Sequence, residues 1–286
     1  MMDVSIIIVN YNTAQLTLNC IDSIKRYTKG VSYEIILVDN NSAEDISELM
    51  CYYPDVIFIK NTSNLGFGGA NNVGYKQASG KYVFLLNSDT YLLNDAISIF
   101  FNVMEGLPSD VVCIGTWLLN EDRTVGYSYG YYLSISSIFN GMLKLLTKKR
   151  RAINNSDMLE VEVVLGADMF IRNTPDVIKG QIFDERYFMY NEENDFQYAL
   201  AKENYKKLLI KGPMIVHLGG CSDDGKMNTN IIKSSFIYIR KWHNWGYYFL
   251  YRLIYVIMYI PRILTNNRLK GQKSEMIRTI LTYKFL

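Results

Sequence analysis

The stretch KYVFLLNSDT (residues 81–90) carries the pattern that decides the fold. Residues 82–86 are all apolar or aromatic, and such a short run bounded by a glycine turn predicts a buried strand. The run leads directly into Asn87, Ser88 and Asp89. A carboxylate at the end of a buried strand costs free energy unless it is hydrogen-bonded, ion-paired or bound to a metal. The stretch therefore predicts a buried strand that presents Asp89 to a binding site.

Strand-sized apolar runs alternate with amphipathic segments through the first half of the chain. The predicted strands cover residues 4–9, 34–38, 56–60, 82–86 and 111–115. The predicted helices cover residues 14–27, 69–78 and 94–104, and Ser42-x-x-Asp45 approximates a capping box that would begin one more. Strands and helices that alternate with short links are typical of a parallel sheet covered by helices on both faces. We therefore predict an α/β protein with a mostly parallel sheet.

Polar residues follow each of the first four predicted strands. They are Asn10-Tyr11-Asn12, Asp39-Asn40-Asn41, residues 61–64 and Asn87-Ser88-Asp89. Asn and Asp also favour turns, so one such strand end would say little. In a parallel sheet all four lie at the carboxyl edge, where α/β proteins bind their ligands. The set predicts a binding crevice at this edge.

The second half of the chain is less regular. Residues 117–160 have mixed polarity, with four tyrosines within residues 127–132 and a basic run at 148–151. A helix in the later part of 183–201, a strand at 207–210 and a helix around 231–243 follow. We predict one domain over residues 1–243, with a nucleotide-binding half at about 1–116 and an acceptor half at about 117–243. Residues 244–286 form a helical tail.

Composition excludes several classes of protein. Hydrophobic residues make up 49% and charged residues 20%, which allows a sizeable core. A net charge of +2 is too balanced to predict a nucleic-acid partner. The four cysteines show no CxxC spacing, and the first apolar run is only strand-sized, which does not suit a secretory leader. We expect reduced thiols and a cytoplasmic protein.

Two common nucleotide-binding motifs are incomplete in this sequence. A dinucleotide oxidoreductase would need G-x-G-x-x-G after the first strand, but the glycine-rich loop GFGGANNVG (66–74) follows the third strand and has Asn71 at the last glycine position. A P-loop would need GK[ST], and Gly80-Lys81 is followed by Tyr82. Neither motif predicts the function.

Seven segments, taken in order, resemble the family 2 glycosyltransferases, which are inverting enzymes of the GT-A fold. They are SIIIVNYN (5–12), ILVDNNS (36–42), NLGFGGANNVG (64–74), FLLNSD (84–89), GADMFIR (166–172), FDERYFMYNEENDF (183–196) and VHLGGCS (216–222). The resemblance covers about residues 3–243. The LNSD segment and RKWH (240–243) are most similar to the rhamnosyltransferase-like branch, which builds bacterial surface polysaccharides.

The resemblance implies a metal site at the fourth strand. Asp89 would bind Mg²⁺ or Mn²⁺, and His217 would complete the metal shell or contact the diphosphate of the donor. Both cations prefer hard oxygen ligands and neutralise the charge that develops on a leaving diphosphate. Asn87 stands where the family has an aspartate, so one anionic ligand is missing.

The resemblance also implies a donor site for a UDP- or dTDP-sugar, with dTDP-rhamnose as one candidate. Asp39 would accept a hydrogen bond from the imide N–H of uracil or thymine, and Tyr11 would cover the face of the base or simply pack at the strand end. Gly66 would let the backbone approach the ligand, although a tight turn has the same requirement. The other residues assigned to the donor side are Asn10, Asn12, Asn64, Asn71, Asn87 and Ser88.

An acidic cluster implies the catalytic base. The family reads Glu-Asp-x-Asp with the second residue as base, and that position is Glu193 here. Glu192, Asp195 and Asp168 are assigned to the acceptor side. By itself an acidic first turn would also stabilise a helix N-terminus.

Arg172, Arg240 and Lys241 are candidate phosphate contacts. The alternative to an enzyme is a non-catalytic member that binds a nucleotide-sugar or glycan in a larger assembly.

The tail suggests contact with an anionic membrane. From residue 245 the chain is apolar and aromatic, but Arg252 divides the stretch and Pro261-Arg262 is expected to end it. The charge-free run 253–261 is far shorter than the ~20 residues that span a bilayer. Beyond Pro261, six basic residues and one acidic residue give +5. We expect a peripheral protein at the cytoplasmic face with a glycan or lipid-linked acceptor; a helix buried in a homodimer or against the core is the alternative.

Overall fold

The computed structural model describes residues 2–138, 157–219, 229–266, 269 and 271–283. Its centre is an eight-stranded sheet with the order β3-β2-β1-β4-β10-β6-β11-β8. These strands are β1 (Val4–Asn10), β2 (Tyr33–Asp39), β3 (Val56–Lys60), β4 (Tyr82–Asn87), β6 (Val111–Thr116), β8 (Met158–Glu160), β10 (Asp168–Arg172) and β11 (Lys206–Ile210). Two small sheets pair β5 (Thr90–Leu92) with β12 (Ile215–His217) and β7 (Tyr129–Gly130) with β9 (Val163–Val164).

Helices cover the sheet, and the last three helices of the chain pack together as a separate layer. They are α1 (Ala14–Tyr27), α2 (Gly66–Tyr75), α3 (Ala96–Gly106), α4 (Glu192–Lys202), α5 (Thr229–Trp242), α6 (Trp245–Thr265) and α7 (Lys273–Thr282). The predicted α/β class and mostly parallel sheet are confirmed, and every predicted strand of the first half is present within two residues.

The capping box predicted at Ser42-x-x-Asp45 is wrong. The segment that follows is a short 3-10 helix, Ser47–Tyr52, and the Ser42 hydroxyl instead accepts a hydrogen bond from the backbone N–H of Asn12. Asp45 accepts from the backbone N–H of Ser47. A loop contact across two strands has replaced the local cap, which sequence spacing alone does not reveal.

The central strands are buried on both faces because helices lie above and below them. Ile6, Ile7 and Ile8 are fully buried, although successive side chains point to opposite faces of the sheet. β1 pairs in parallel with β2 and with β4, and the register places Asn10 beside Asp39 and Val9 beside Asn87. The polar strand ends therefore meet at one edge.

Strand β10 runs antiparallel between β4 and β6, with Asp168 paired to Leu86. The strands β8, β10 and β11 all come from beyond residue 157. Strands from both predicted halves of the domain thus share one sheet.

A separate apolar cluster joins α5, α6 and α7. Phe236 of α5 is fully buried and contacts Tyr248, Tyr251 and Tyr255 of α6 edge-on. Helix α6 continues through Pro261 to Thr265, beyond the end of the predicted apolar stretch. Among the described residues, α6 is the one helix whose length and composition would allow it to cross a membrane, a test that core helices of soluble proteins also pass.

Arg252 does not interrupt the outer face of α6, because its side chain is turned inward. Its guanidinium donates to the backbone carbonyls of Ile280 and Tyr283 and to the hydroxyl of Tyr248. The opposite face of α6 is apolar and exposed. Its exposed side chains include Trp245, Phe249, Leu250, Leu253, Ile257 and Leu264.

Candidate active site

A crevice of about 350 Å³ lies at the carboxyl edge of the sheet. It is the position in which the strand ends predict a ligand site. Its lining residues are Val9, Tyr11, Thr13, Asn40, Asn64, Gly66, Phe67, Asn87, Ser88, Asp89, Phe188, Met189, Tyr190 and Asn230. Six of these were predicted from the sequence: Tyr11, Asn64, Gly66, Asn87, Ser88 and Asp89.

Asn10 and Asp39 brace the edge of the crevice and do not line it. The Asn10 amide donates to Asp39 Oδ1 at 2.7 Å and to the Ser42 hydroxyl at 3.0 Å. Asp39 Oδ2 accepts from the backbone N–H of Ser42 at 3.2 Å. Asn12, which has a positive φ of 56°, accepts from the backbone N–H of Ala43. These bonds join the loops after β1 and β2, and the Asp39 carboxylate is only 1% exposed.

The side chain of Asn40, to which no role was assigned from the sequence, makes four hydrogen bonds at this edge. Its amide nitrogen donates to Asn64 Oδ1 at 2.9 Å and to the Gly66 carbonyl at 3.1 Å. Its oxygen accepts from the Asn61 amide and from the backbone N–H of Leu65. Asn40 therefore fixes the loop that leads from β3 into α2. Its position in the polar run Asp39-Asn40-Asn41 at the end of β2 was the sequence feature that could have indicated this role.

Asn71 also lies outside the crevice. It is buried in α2, and its amide donates to the Phe67 carbonyl one turn earlier. Asn71 therefore stabilises α2 from within, and its predicted contact with the donor stays a prediction.

Asp89 and His217 meet at one end of the crevice. The ladder between β5 and β12 pairs Thr90 with His217, and the Leu218 N–H donates to the Asp89 carbonyl. His217 Nε2 consequently lies 3.3 Å from Asp89 Oδ1 and 3.5 Å from the Asn87 amide nitrogen. The structure thus brings together the two residues predicted to bind a metal.

The donor chemistry of this cluster fits a divalent cation that arrives with its phosphate ligand. No group of three or more His, Cys, Asp or Glu side chains that could hold a metal occurs in the described part of the chain. One carboxylate oxygen, one imidazole nitrogen and a neighbouring amide are few protein ligands. Mg²⁺ usually keeps only one or two carboxylates and completes its shell with substrate phosphates and water.

Asp89 is the only charged side chain among the described residues that line the crevice. Arg172 is not available to a phosphate, because its guanidinium donates to the carbonyls of Met104, Leu107 and Val111 and so caps the end of α3. The other two candidates, Arg240 and Lys241, are also engaged elsewhere: Arg240 stacks on Trp245, and Lys241 binds Asp184 and Asp195. The described lining therefore carries negative charge.

One wall of the crevice rests on a strained loop. Tyr190 and Asn191 both have positive φ, at 70° and 66°, a conformation that non-glycine residues seldom adopt. The loop touches the start of α2, where the Phe67 N–H donates to the Phe188 carbonyl at 3.0 Å. A Cβ on Gly66 would lie 1.8 Å from that carbonyl oxygen. Only glycine fits there.

Glu192 and Glu193 begin α4 directly after this loop. Glu192 is buried against Gly68 of α2, whereas Glu193 is partly exposed and lies beside Gly166, close to Phe67 of the crevice. Burial raises the pKa of both carboxyls, and for Glu192 the charge of Glu193 adds to the rise in pKa. In the described structure the Oε2 atoms of both side chains have no hydrogen-bond partner.

Asp195 lies on the side of α4 away from the crevice. Its carboxylate accepts from the hydroxyl of Tyr187, the ammonium group of Lys241 and the indole of Trp242. These bonds attach α4 to α5. The side chain of Asp195 is a structural tie.

Asp168 is fully buried under the end of β6. Its Oδ2 accepts from the backbone N–H of Thr116 at 2.6 Å, and burial raises its pKa well above the usual range. Asp168 is not among the residues that line the crevice.

Eight residues of the crevice lining were not predicted from the sequence: Asn40 and, in addition, Val9, Thr13, Phe67, Phe188, Met189, Tyr190 and Asn230. Val9 and Thr13 flank a predicted strand end, and the Thr13 hydroxyl lies 3.0 Å from that of Ser88. Phe188, Met189 and Tyr190 belong to an irregular loop without periodicity. The available signals were their position just before the acidic cluster and their place in the segment FDERYFMYNEENDF (183–196). Gly220 to Ser222 of the VHLGGCS segment lie outside the described residues.

Fold and site together define an α/β protein of the GT-A type, with a carboxylate and a histidine at the carboxyl edge of its sheet. The sequence profile of Glycosyl transferase family 2 matches residues 5–180, more than half of the chain. The chain belongs to this family.

Characterised relatives cover the chain unevenly. It is 33% identical to the poly(ribitol-phosphate) beta-glucosyltransferase of Bacillus spizizenii over 116 residues, which are 38% of this chain and 18% of that protein. It is 26% identical to the low-salt glycan biosynthesis hexosyltransferase Agl10 of Haloferax volcanii over 213 residues, 71% of this chain and 62% of the relative. The chain therefore spans less than two thirds of the length of both relatives.

A solved structure shows the same fold. The crystal structure of GalNAc-T7 with UDP, GalNAc and Mn²⁺ superimposes with a TM-score of 0.64 at 14% identity, covering 98% of this chain and 56% of that one. At this identity the likeness concerns the fold alone.

Proposed function

We propose that the protein is an inverting glycosyltransferase that takes a sugar from a UDP- or dTDP-sugar, with dTDP-rhamnose as one candidate. The acceptor is a glycan or a lipid-linked glycan in cell-surface polysaccharide synthesis. One observation carries the proposal. Asp89 and His217 lie 3.3 Å apart in a crevice at the carboxyl edge of the sheet, and Glu193 stands close to its wall.

The charge of the crevice supports a metal-dependent donor site. A nucleotide diphosphate is anionic, and the described lining offers Asp89 and no cation. Two like charges at close range repel each other, more strongly where water is excluded. Mg²⁺ or Mn²⁺ held by Asp89 and His217 would supply the missing positive charge and stabilise the leaving diphosphate. The amide nitrogen of Asn87 lies 3.5 Å from His217 Nε2 and so adjoins the proposed metal position.

Glu193 is the proposed general base. An inverting transfer needs a carboxylate that takes the proton of the acceptor hydroxyl as its oxygen attacks the anomeric carbon. Burial raises the pKa of Glu193, which brings the carboxylate closer to the range in which it accepts a proton well at neutral pH. Glu192 is more deeply buried than Glu193 and would support the wall of the crevice.

The exposed apolar face of α6 supports a peripheral membrane location. Phe249, Leu253 and Ile257 are each more than half exposed, while Arg252 is turned inward, so this face carries no charge. The basic residues Arg262 and Arg278 are exposed near the end of the helical layer. An apolar face beside basic side chains suits an anionic bilayer surface on the cytoplasmic side, where a lipid-linked acceptor would lie.

The donor site can be tested without knowing the acceptor. We expect Asp89→Asn to lower the Mn²⁺-dependent affinity for UDP, measured by titration calorimetry, by about tenfold or more. Asp157→Asn, at an aspartate whose side chain is 91% exposed, should leave it unchanged. Unaltered Mn²⁺-dependent affinity in Asp89→Asn would remove Asp89 from the metal site.

The base can be tested with water as the acceptor. We expect Glu193→Gln to retain UDP affinity and to slow hydrolysis of the UDP-sugar by about 10²-fold or more, because the amide keeps the shape and has little basicity. Glu203→Gln, at the end of the same helix, is the control. Nucleotide binding without any metal-dependent turnover in the wild type would favour the non-catalytic binding protein instead.

A further inference from the structure

Three tyrosines lie close together beside the acidic cluster, at residues 127, 129 and 131. Ser128 is buried, and the Tyr132 hydroxyl contacts the Gln197 carbonyl and the Lys207 ammonium group. Tyr129 packs on the apolar core and meets Tyr131 edge-on, whereas the Tyr127 hydroxyl lies close to Gly130. Tyr127 is 58% exposed and Tyr131 is 46% exposed.

The rings of these residues support one another. Trp117 meets Tyr129 edge-on with ring centroids 6.0 Å apart, and Tyr129 meets Tyr131 edge-on at 5.9 Å. Such edge-to-face contacts hold aromatic rings in fixed orientations. We call Trp117, Tyr127, Tyr129 and Tyr131 the aromatic row. It presents a rigid apolar surface with hydroxyl groups at its margin.

The aromatic row begins next to the proposed base. The amide of Asn194 donates to the Tyr131 carbonyl at 3.0 Å, and Asn194 directly follows Glu193. On its other side Glu193 lies beside Gly166, which also adjoins Phe67 of the crevice wall. Glu193 thus lies next to a residue that contacts the row and beside a glycine that adjoins the crevice wall.

The sheet places the far end of the row at the same edge. Trp117 directly follows Thr116, the last residue of β6, and β6 belongs to the main sheet. Asp168 fixes that strand end by accepting from the Thr116 N–H. The row therefore continues from the crevice along the carboxyl edge of the acceptor half.

We propose that the aromatic row is the acceptor subsite and binds a pyranoside ring by its C–H face. This proposal rests on the function proposed above, because an acceptor hydroxyl must reach Glu193. Neutral sugar rings have one face of C–H groups and a rim of hydroxyls, which matches rigid aromatic faces with polar margins. Purely structural tyrosines would be buried in the core, whereas two members of this row are half exposed.

The test is saturation-transfer NMR on the full chain with Mn²⁺-free buffer and simple probes. These are methyl β-glucopyranoside, methyl α-rhamnopyranoside and methyl β-N-acetylglucosaminide, with sorbitol as an open-chain polyol that has no ring face. We expect saturation of at least one glycoside and none of sorbitol. Tyr127→Ala and Tyr131→Ala should each lower the signal about fivefold or more, while Tyr131→Phe retains it.

Tyr52→Ala is the matched control, because Tyr52 is 77% exposed and lies in the Ser47–Tyr52 turn, outside the acceptor half. UDP affinity with Mn²⁺ is measured on the same samples and should be the same in all variants. If the wild type binds UDP but saturates no glycoside, or if Tyr127→Ala and Tyr131→Ala keep the full signal, the aromatic row is not the subsite. If glycosides bind the row while UDP does not bind, the proposed transferase fails and the sugar subsite stands.

Discussion

Replacing Gly66 with alanine should uncouple the crevice wall from the sheet. Gly66 begins α2 with a φ of +74°, and an added Cβ would lie 1.8 Å from the Phe188 carbonyl oxygen. Carbon and oxygen atoms do not approach so closely, so the loop at residues 188–191 must withdraw by about 1 Å or more. The hydrogen bond from the Phe67 N–H to this carbonyl, 3.0 Å long, would then be lost.

The size of the effect follows from three contributions. Positive φ costs an L-residue about 1–2 kcal/mol. The lost hydrogen bond costs about 1 kcal/mol. Overpacking against backbone adds about 1–3 kcal/mol. We therefore expect Gly66→Ala to lower the free energy of unfolding by about 3–6 kcal/mol.

Gly180→Ala separates backbone strain from the steric clash. Gly180 also has a positive φ, +86°, but a Cβ there would meet nothing within 4 Å. Its substitution should cost only the strain, about 1–2 kcal/mol. Urea unfolding of both variants measures the difference, and UDP titration with Mn²⁺ should show weaker binding for Gly66→Ala alone. Equal losses of stability in the two variants would refute the contact between Gly66 and the loop.

Three further changes test separate parts of the molecule. Arg172→Gln removes the hydrogen bonds to the carbonyls of Met104 and Leu107 and should lower the free energy of unfolding, measured in urea, by about 2–3 kcal/mol. The affinity for UDP should not change, and weaker UDP binding would indicate that Arg172 contacts the phosphates after all. Burial raises the folded-state pKa of Asp168, so wild-type stability should fall as pH rises above the unfolded-state value of 3.8, by up to about 1.4 kcal/mol per pH unit. Asp168→Asn should lack this part of the pH dependence, and parallel urea curves from pH 4 to 7 would contradict the burial. The double variant Leu253→Gln, Ile257→Gln should no longer sediment with phosphatidylserine vesicles, and salt should weaken the binding of the wild type to these vesicles. If the wild type instead forms dimers that do not depend on salt and that the double variant lacks, the exposed face of α6 is a homodimer interface.

The regular part of the fold was predictable because it depends on periodicity. The strands of the first half are short apolar runs between turns, and their parallel pairing follows from the helices between them. β10 was not foreseen as an antiparallel strand between β4 and β6, since strand order depends on contacts that are distant in sequence. The strands β5 and β12 have only three residues each, which is too few for a periodic signal.

The site was predictable to the extent that it lies at the ends of regular strands. Asp89 is such a residue, and its position follows from β4 alone. The approach of His217 depends on the short ladder between β5 and β12, so only the family resemblance indicated it. Asp195 shows the opposite case. Its acidic neighbours suggested a site, but its partners Lys241 and Trp242 come from another helix.

The amide-rich strand ends also bind one another through a network of hydrogen bonds. Asn10, Asp39, Asn40 and Asn64 satisfy most of their hydrogen-bonding groups with one another and with loop backbone. Buried polar groups that are paired in this way hold a fixed geometry, because breaking any bond leaves a partner unsatisfied. The edge is therefore rigid before any ligand arrives. Asp89 is the one charged side chain among the described residues that line this edge, and the proposed metal would bind next to it.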